Sequence, residues 1–397
     1  MQSTRYHYMD NLRATAMLIG VFFHAALAYS PGMQNFWLSA SPDNSVTIDV
    51  VAWFLHLFRM PLFFLIAGFF GAYLIGKRGI GGYLKNRALR ILLPLVIFLP
   101  LVWLTMFGPV FWALDNIQNP SPMLGIIAWL RDNPEMSPPQ QFSSVHLWFL
   151  LNLVYFCIGY ALLSRFGSKL SAIADRLLTP RVIVFLLPLV MVPALSTQTQ
   201  PHPAPEQLLP QMWSLGYYGV FFLLGSFYFR QPDLLDKLKP YMPVMLISSL
   251  VMYAVFYSLL PPPMSFQEGM AVLTAGVEIT PREIGISTLE AYISLHMTLV
   301  CLVAGKAFLD KASKPVRYLA DSSYWIYLMH LPTVIVLQYL MLDTEWNLWV
   351  EFLASSVGTI LIGLITYAAL IRWSPIGWML NGRRRKEDSA SPTPAAA

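Results

Sequence analysis

The chain has 397 residues, 56% of them apolar and 12% charged, with a formal net charge of +5 and a mean hydropathy of +0.55. A charged share about half that of ordinary soluble domains excludes a water-soluble globular enzyme and indicates a protein that lives in the bilayer. The positive balance comes from basic loops between apolar stretches and gives no reason to invoke nucleic acid.

Apolar stretches run over 1–30, 47–76, 91–114, 145–164, 182–196, 213–229, 241–261, 286–309, 323–342 and 348–371. Most approach the roughly 20 residues needed to cross a hydrocarbon core about 30 Å thick. They predict an all-α polytopic membrane protein of about ten transmembrane helices, with no internal repeat. With the N-terminus cytoplasmic, 23 of the 26 Lys and Arg fall on the inner side, the outer loops hold only Arg131 and Arg282, and Arg59 lies inside the second helix. The positive-inside rule therefore places both termini in the cytoplasm. The expected division is a transmembrane domain over 1–380 and a basic, then Ser/Pro/Ala-rich, disordered cytoplasmic tail over 381–397.

In the first helix Arg13 and His24 stand eleven residues apart. Three helical turns separate them, about 16 Å, so both fall on one stripe, Arg13 at the cytoplasmic surface and His24 near mid-bilayer. An imidazole at that depth needs a polar partner or a function. Ala26-Leu27-Ala28 resembles a leader cleavage site, but His24 interrupts the apolar run, so the stretch reads as a retained membrane helix.

The second helix carries His56 and Arg59 on one face, followed by Pro61, which removes a backbone donor and favours a kink aiming both at one cavity. The basic loop after it holds Lys77, Arg78, Lys85, Arg87 and Arg90. If helical from Gly82, it sets Arg87 and Arg90 on one face at the cytoplasmic mouth, suited to forked contacts with phosphate, although topology alone would also put arginines there. The Pro-rich outer loops near 115–144 and 262–285 can roof an outward cavity, and Met123 to Leu130 suits a short interfacial helix.

His146 opens the fourth helix, where an aromatic belt would also place it. Cys157 and Cys301 both fall in predicted helices and read as core rather than as a disulfide. The eighth helix carries Glu290 and His296, the ninth Tyr324, Tyr327 and His330 two residues before Pro332, and the tenth begins with Glu351. His296 and Glu351 read as structural, whereas His24, His56 and His330 converge toward the midplane at about 12–16 Å depth. A metal site built from those three is disfavoured, since no His pair stands at i,i+4 and no carboxylate backs it.

Five motifs occur in order: Arg13…His24; His56-Leu-Phe-Arg59-Met-Pro-Leu-Phe-Phe-Leu-Ile-Ala-Gly68; Arg87-x-x-Arg90; His146-Leu-Trp148-Phe-Leu; and Ser323-Tyr-Trp-Ile-Tyr327-Leu-Met-His330-Leu-Pro332. Together they resemble the acyltransferase 3 family of membrane acyltransferases over essentially the whole chain. The wording of the second and fourth is similar to its branch associated with succinylation of osmoregulated periplasmic glucans. The resemblance implies a bacterial inner-membrane enzyme that moves an acyl group from cytoplasmic acyl-coenzyme A, here succinyl-coenzyme A, to carbohydrate hydroxyls on the other side. No tightly bound cofactor is implied, and the oligomeric state is left open.

Carried onto this chain, the resemblance makes His24 the catalytic histidine, Arg13 its basic partner, and Arg13, Arg87 and Arg90 the coenzyme-binding residues. His56, Arg59, His146, Tyr327, His330 and Glu290 become candidates for contact with the acyl group or the acceptor, with Arg59 offering a fork to an acyl carbonyl or a succinyl carboxylate. Where many relatives have a doubled histidine, this chain reads His330-Leu331, and it carries no C-terminal esterase-like domain, so it is expected to complete transfer itself or hand on to a separate protein. Midplane ionisable groups and Pro-interrupted spans also suit a secondary transporter or flippase of a glycan or polar lipid, against which stands the lack of internal repeats.

Overall fold

A computed structural model describes residues 6–136, 142–265, 267–268, 271, 277–311 and 313–382. Among these there is no β-strand, and an isolated bridge joins Ser143 to Gln207. The helices are α1 (His7–Ala26), α2 (Val46–Arg87), α3 (Leu93–Asn116), α4 (Pro122–Asp132), α5 (Trp148–Leu163), α6 (Gly167–Leu177), α7 (Pro180–Phe185), α8 (Leu187–Leu195), α9 (Met212–Arg230), α10 (Leu234–Leu238), α11 (Met242–Leu259), α12 (Pro281–Phe308), α13 (Lys314–Met341), α14 (Leu348–Thr366) and α15 (Pro375–Asn381). Asn381 and Gly382 close the last helix, and residues 383–397 of the expected disordered tail lie outside the described residues.

The all-helical membrane architecture holds, but the spans group differently from the hydropathy reading. Among the described residues, seven helical stretches are long and apolar enough to cross a bilayer, or up to eight if the pair Lys169–Leu177 and Pro180–Leu195, bent by 80°, counts as one. The second and third apolar runs merge into a single helical stretch, Val46–Asn116, of 71 residues. It is broken at Gly79, whose φ of +66° is the left-handed region a glycine adopts without strain. Outside those seven falls α9, whose Trp213, Tyr217, Tyr218, Gly216 and Gly219 dilute its hydropathy although it packs deep in the bundle.

In that bundle α1 lies against α2, α12, α13 and α14, while α2 runs along α9. The α2–α9 crossing depends on two glycines. A Cβ on Gly68 would stand 1.8 Å from the Phe222 carbonyl oxygen, and one on Gly225 would stand 1.9 Å from that of Leu65. Small residues let the backbones touch, which is how membrane helices gain packing without a hydrophobic drive.

Intrahelical prolines supply a second device. Each lacks the N–H that would satisfy the carbonyl four residues earlier, and at membrane depth that oxygen must find another donor. Pro61 frees Leu57, whose carbonyl accepts from the Tyr217 hydroxyl at 3.3 Å. In the π-turn before α3, the Arg90 carbonyl accepts from Tyr324 at 2.8 Å. Pro332 frees Leu328, whose carbonyl accepts from His146 Nε2 at 3.2 Å. At the end of α7, before the break to α8, the Val184 carbonyl accepts from His296 Nε2 at 3.0 Å. Side chains of one helix thus dock onto backbone carbonyls of another at two intrahelical prolines and two helix ends, and three of these docks border the site described next.

Candidate functional site

A cavity of about 440 Å³ opens between α1, α2, α5 and α13. Its mouth is lined by Arg13, Arg78, Arg87 and Arg90 with Asp10, Asp321, Asn86 and Asn381, and its interior by apolar side chains including Phe63, Ile66, Phe149 and Leu153. Arg13 pairs loosely with Asp10 at 3.8 Å. The Arg87 guanidinium lies over the Tyr83 ring at 5.7 Å. Arg87 and Arg90 flank the start of a widened π-turn, Ala88–Leu92, that joins α2 to α3. The Tyr324 hydrogen bond to the Arg90 carbonyl ties this turn to α13. Among these mouth residues cations outnumber carboxylates, which suits a polyanion, while the apolar interior suits a chain of methylene and amide groups.

Tyr327 forms part of the cavity wall and connects it to the buried histidines. Its hydroxyl donates to the His146 carbonyl at 2.9 Å, and its ring stacks on His330 with centroids 6.0 Å apart. His330 in turn lies 5.0 Å from His24 and 4.9 Å from His146, centroid to centroid. A carbonyl can only accept, so each nitrogen that meets one carries the proton. His330 Nδ1 donates to the Tyr327 carbonyl at 2.7 Å and His146 Nε2 to that of Leu328, leaving the other ring nitrogen of each as the acceptor in the neutral form. His24 has a buried Nδ1 without a hydrogen-bond partner.

His24 is oriented by stacking instead. Trp37, in the loop after α1, lies parallel to its ring at 5.8 Å. Gln338 on α13 fixes that loop: its amide oxygen accepts from Trp37 Nε1 at 2.9 Å and from Ser39 at 2.6 Å, and its amide nitrogen donates to the Ala25 carbonyl at 3.0 Å. That loop and the first helix are thereby clamped to the same residue, on the side of His24 away from Arg13.

On the other flank, Arg59 is a buried cation with an unpartnered Nε, and no carboxylate pairs with it among the described residues. Its guanidinium rests on the Phe23 ring at 4.8 Å and fills the space left by Gly20, where a Cβ would come within 2.6 Å of Nη1. Gly20 is one turn before His24 on the same face of α1, so the structure brings Arg59 beside the path from Arg13 to His24. His56, one turn before Arg59, stacks on Phe23 at 5.4 Å and donates from Nε2 to the His202 carbonyl at 3.0 Å.

His24, His56, Arg59, His146, Tyr327 and His330 therefore form one cluster, with Arg13, Arg87 and Arg90 at the cavity mouth. Glu290 is turned into a pair with the ring of His202, both side chains fully buried. His296 is held between the Val184 carbonyl and Ser248, and Glu351 meets Ser41 near the loop after α1. Sequence reasoning missed His202, Gln338 and Trp37. The only signal for His202 is a histidine set between two prolines, Pro201 and Pro203, in a short connection.

The segment carrying His202 is fixed at its far end by Glu206. Its backbone carbonyl accepts from Ser144 and its carboxylate from Ser143 at 2.6 Å. Burial pushes the Glu206 carboxyl above its ordinary range, partly offset by the Ser143 hydroxyl.

A family model described as an acyltransferase domain matches residues 6–368. Glucans biosynthesis protein C of Salmonella paratyphi B is 25% identical over 403 residues, covering 96% of this chain and 95% of its own. Proteins of the same name from Salmonella dublin and Salmonella enteritidis PT4 are similar to the same extent. No solved structure matches the chain.

Proposed function

The chain belongs to the acyltransferase family whose domain model spans residues 6–368, and from that premise we propose that it carries an acyl group from cytoplasmic acyl-coenzyme A to hydroxyls of an extracytoplasmic carbohydrate. The observation that carries this reading is the cavity itself, with four arginines at its mouth and Tyr327 in its wall, behind which His330 and His24 follow in ring contact. The proposed setting is a bacterial inner membrane with both termini in the cytoplasm, so that Arg13, Arg78, Arg87 and Arg90 meet the phosphates of the coenzyme. The pantetheine arm would follow the apolar wall, and α1 spans the roughly 16 Å from Arg13 to His24. Acyl-coenzyme A is a co-substrate in this scheme, with no tightly bound cofactor.

At the cluster, the acceptor oxygen attacks the thioester carbonyl, the C–O bond forms and the C–S bond breaks. His24 takes the hydroxyl proton and returns it to the departing thiolate, or it attacks the thioester first, gives its own N–H proton to the thiolate, and regains one from the hydroxyl as the acyl group passes outward. His146 and His330, each tethered to a backbone carbonyl, keep neighbouring acceptor nitrogens in place around it. The donor we favour is succinyl-coenzyme A. A buried guanidinium without an anion is costly by several kcal/mol, and the carboxylate of a short dicarboxylic acyl chain would offset that cost at Arg59. The name of the Salmonella relatives supports a glucan as the acceptor.

Sided vesicles test the reading. Protein reconstituted with its cytoplasmic face outward receives labelled succinyl-coenzyme A outside and glucan inside. Release of free coenzyme A outside together with labelled glucan inside is the expected result. Glycan crossing the membrane unmodified, with no coenzyme consumed, would replace this reading with a transporter.

A further inference from the structure

Two contacts through His202 link a carboxylate on α12 to a histidine on α2 by way of the short segment before α9, and a third holds the His202 ring from its other side. Glu290 pairs with His202 Nδ1, the opposite ring nitrogen of His202 meets the Tyr218 hydroxyl at 2.9 Å, and the backbone carbonyl of His202 accepts from His56 Nε2 at 3.0 Å. Both ring nitrogens and the carbonyl of His202 are thus engaged, at 1% exposure. The ring is further enclosed by Tyr217 at 4.9 Å and Trp213 at 5.9 Å. A loop residue this thoroughly tied is a fixed post rather than a mobile one.

The consequence falls on His56. Because the carbonyl only accepts, His56 must keep its proton on Nε2, and Nδ1, buried and without a partner, is left as the ring's acceptor. We infer that His202 and Glu290 are a positioning pair for His56: Glu290 holds the His202 ring, the ring holds the His202 carbonyl, and the carbonyl sets His56 to present Nδ1 to the acceptor hydroxyl. The inference rests on the acyl-transfer reading in its relay form: with the acyl group on His24, His56 accepts the hydrogen bond of the hydroxyl as it attacks, and the proton ends on the His24 imidazole as the acyl–nitrogen bond breaks. It assigns His202, Glu290 and the segment between α8 and α9 to the catalytic half of the site rather than to the coenzyme half.

A double-mutant cycle between His202 and His56 tests this in the purified enzyme. Misplacing a catalytic group by about 1 Å costs on the order of 10²-fold in turnover. His202→Ala should therefore lower kcat by roughly that factor with an unchanged KM for the acyl-coenzyme, and the double variant with His56→Ala should be no slower than His56→Ala alone. Glu290→Ala should act like His202→Ala, and Glu290→Gln, which still offers an oxygen to the ring, should restore turnover to near the wild-type value. If His202→Ala lowers thermal stability so far that the protein is lost, the Glu290 variants carry the same cycle. Losses that multiply in the double variant, or wild-type turnover in His202→Ala, would overturn the pairing.

A second readout stands apart from activity. In histidine-15N-labelled protein, with His56 identified by its loss in His56→Ala, the ring should be the Nε2–H tautomer and should lose that preference in Glu290→Ala. An Nδ1–H tautomer at His56 would overturn the inference whether or not acyl transfer is observed, whereas a wild-type enzyme inert in vesicles would count against the acyl-transfer reading alone.

Discussion

Replacing Gly20 with alanine tests the Arg59 niche without touching a polar group. The added methyl would lie 2.6 Å from Arg59 Nη1, against an optimum near 3.5 Å for such contacts, so the guanidinium has to retreat by about 1 Å. An arginine on a protein surface would swing aside at no cost. Arg59 is buried against Phe23, so its displacement propagates into the place assigned to the acyl carboxylate. A 1 Å misplacement at a reacting centre costs about 10²-fold, equivalent to ~2.7 kcal/mol in the barrier. The assay is steady-state transfer by reconstituted protein with succinyl- and acetyl-coenzyme A in parallel, using Gly108→Ala, where nothing lies within 4 Å, as the control. Succinyl transfer should fall by about two orders of magnitude and acetyl transfer by much less, with the control unchanged. Equal turnover of Gly20→Ala and wild type on both donors would refute the reasoning about Arg59.

At the coenzyme end, Arg87→Ala removes a charged contact worth about 1.5–3 kcal/mol, which should raise KM for the acyl-coenzyme roughly 10- to 100-fold while leaving kcat nearly unchanged; initial-rate kinetics at saturating acceptor reads the split. Gly68→Ala drives a methyl into the Phe222 carbonyl oxygen across the α2–α9 crossing. A loss at or beyond the upper end of the ~1–3 kcal/mol range for overpacking is expected as a lower melting temperature in detergent. Glu206 has its carboxyl pushed up by burial, so folding favours its protonated form: wild-type stability contributed by this group is present at low pH and is lost as pH rises through the raised value. Glu206→Gln should therefore melt above wild type at neutral pH and converge with it in acid, and the opposite ordering in a pH series of melts would contradict the assignment.

Much of the site was legible because its residues recur on local helical stripes. Arg13 and His24 share a face of α1 by spacing alone, His56 and Arg59 share one of α2, and Tyr327 and His330 are i,i+3 neighbours on α13. What spacing cannot give is which stripe meets which. That His146 reaches α13 follows from the carbonyl that Pro332 frees at Leu328, a pairing across 182 residues of sequence. Glu290 was legible as an ionisable residue in an apolar helix, but its partner was not, because His202 lies in an irregular segment with no periodicity to aim it. The Gln338 clamp escaped notice since a glutamine at a helix end is ordinarily solvated, and only the fold shows it buried against Ser39, Trp37 and Ala25. The number of spans was blurred for a related reason: hydropathy separates 47–76 from 91–114 by their basic linker, yet the backbone stays helical through it apart from Gly79.

The account stands most directly on His24. Its replacement by alanine removes the imidazole that stands between His330, behind the cavity wall, and Trp37 while leaving no charge unpaired. Acyl transfer from succinyl-coenzyme A to glucan, measured in vesicles with His24→Ala protein shown by its melting temperature to be folded, should be undetectable. Turnover close to that of the wild type in the same vesicles would contradict the central claim.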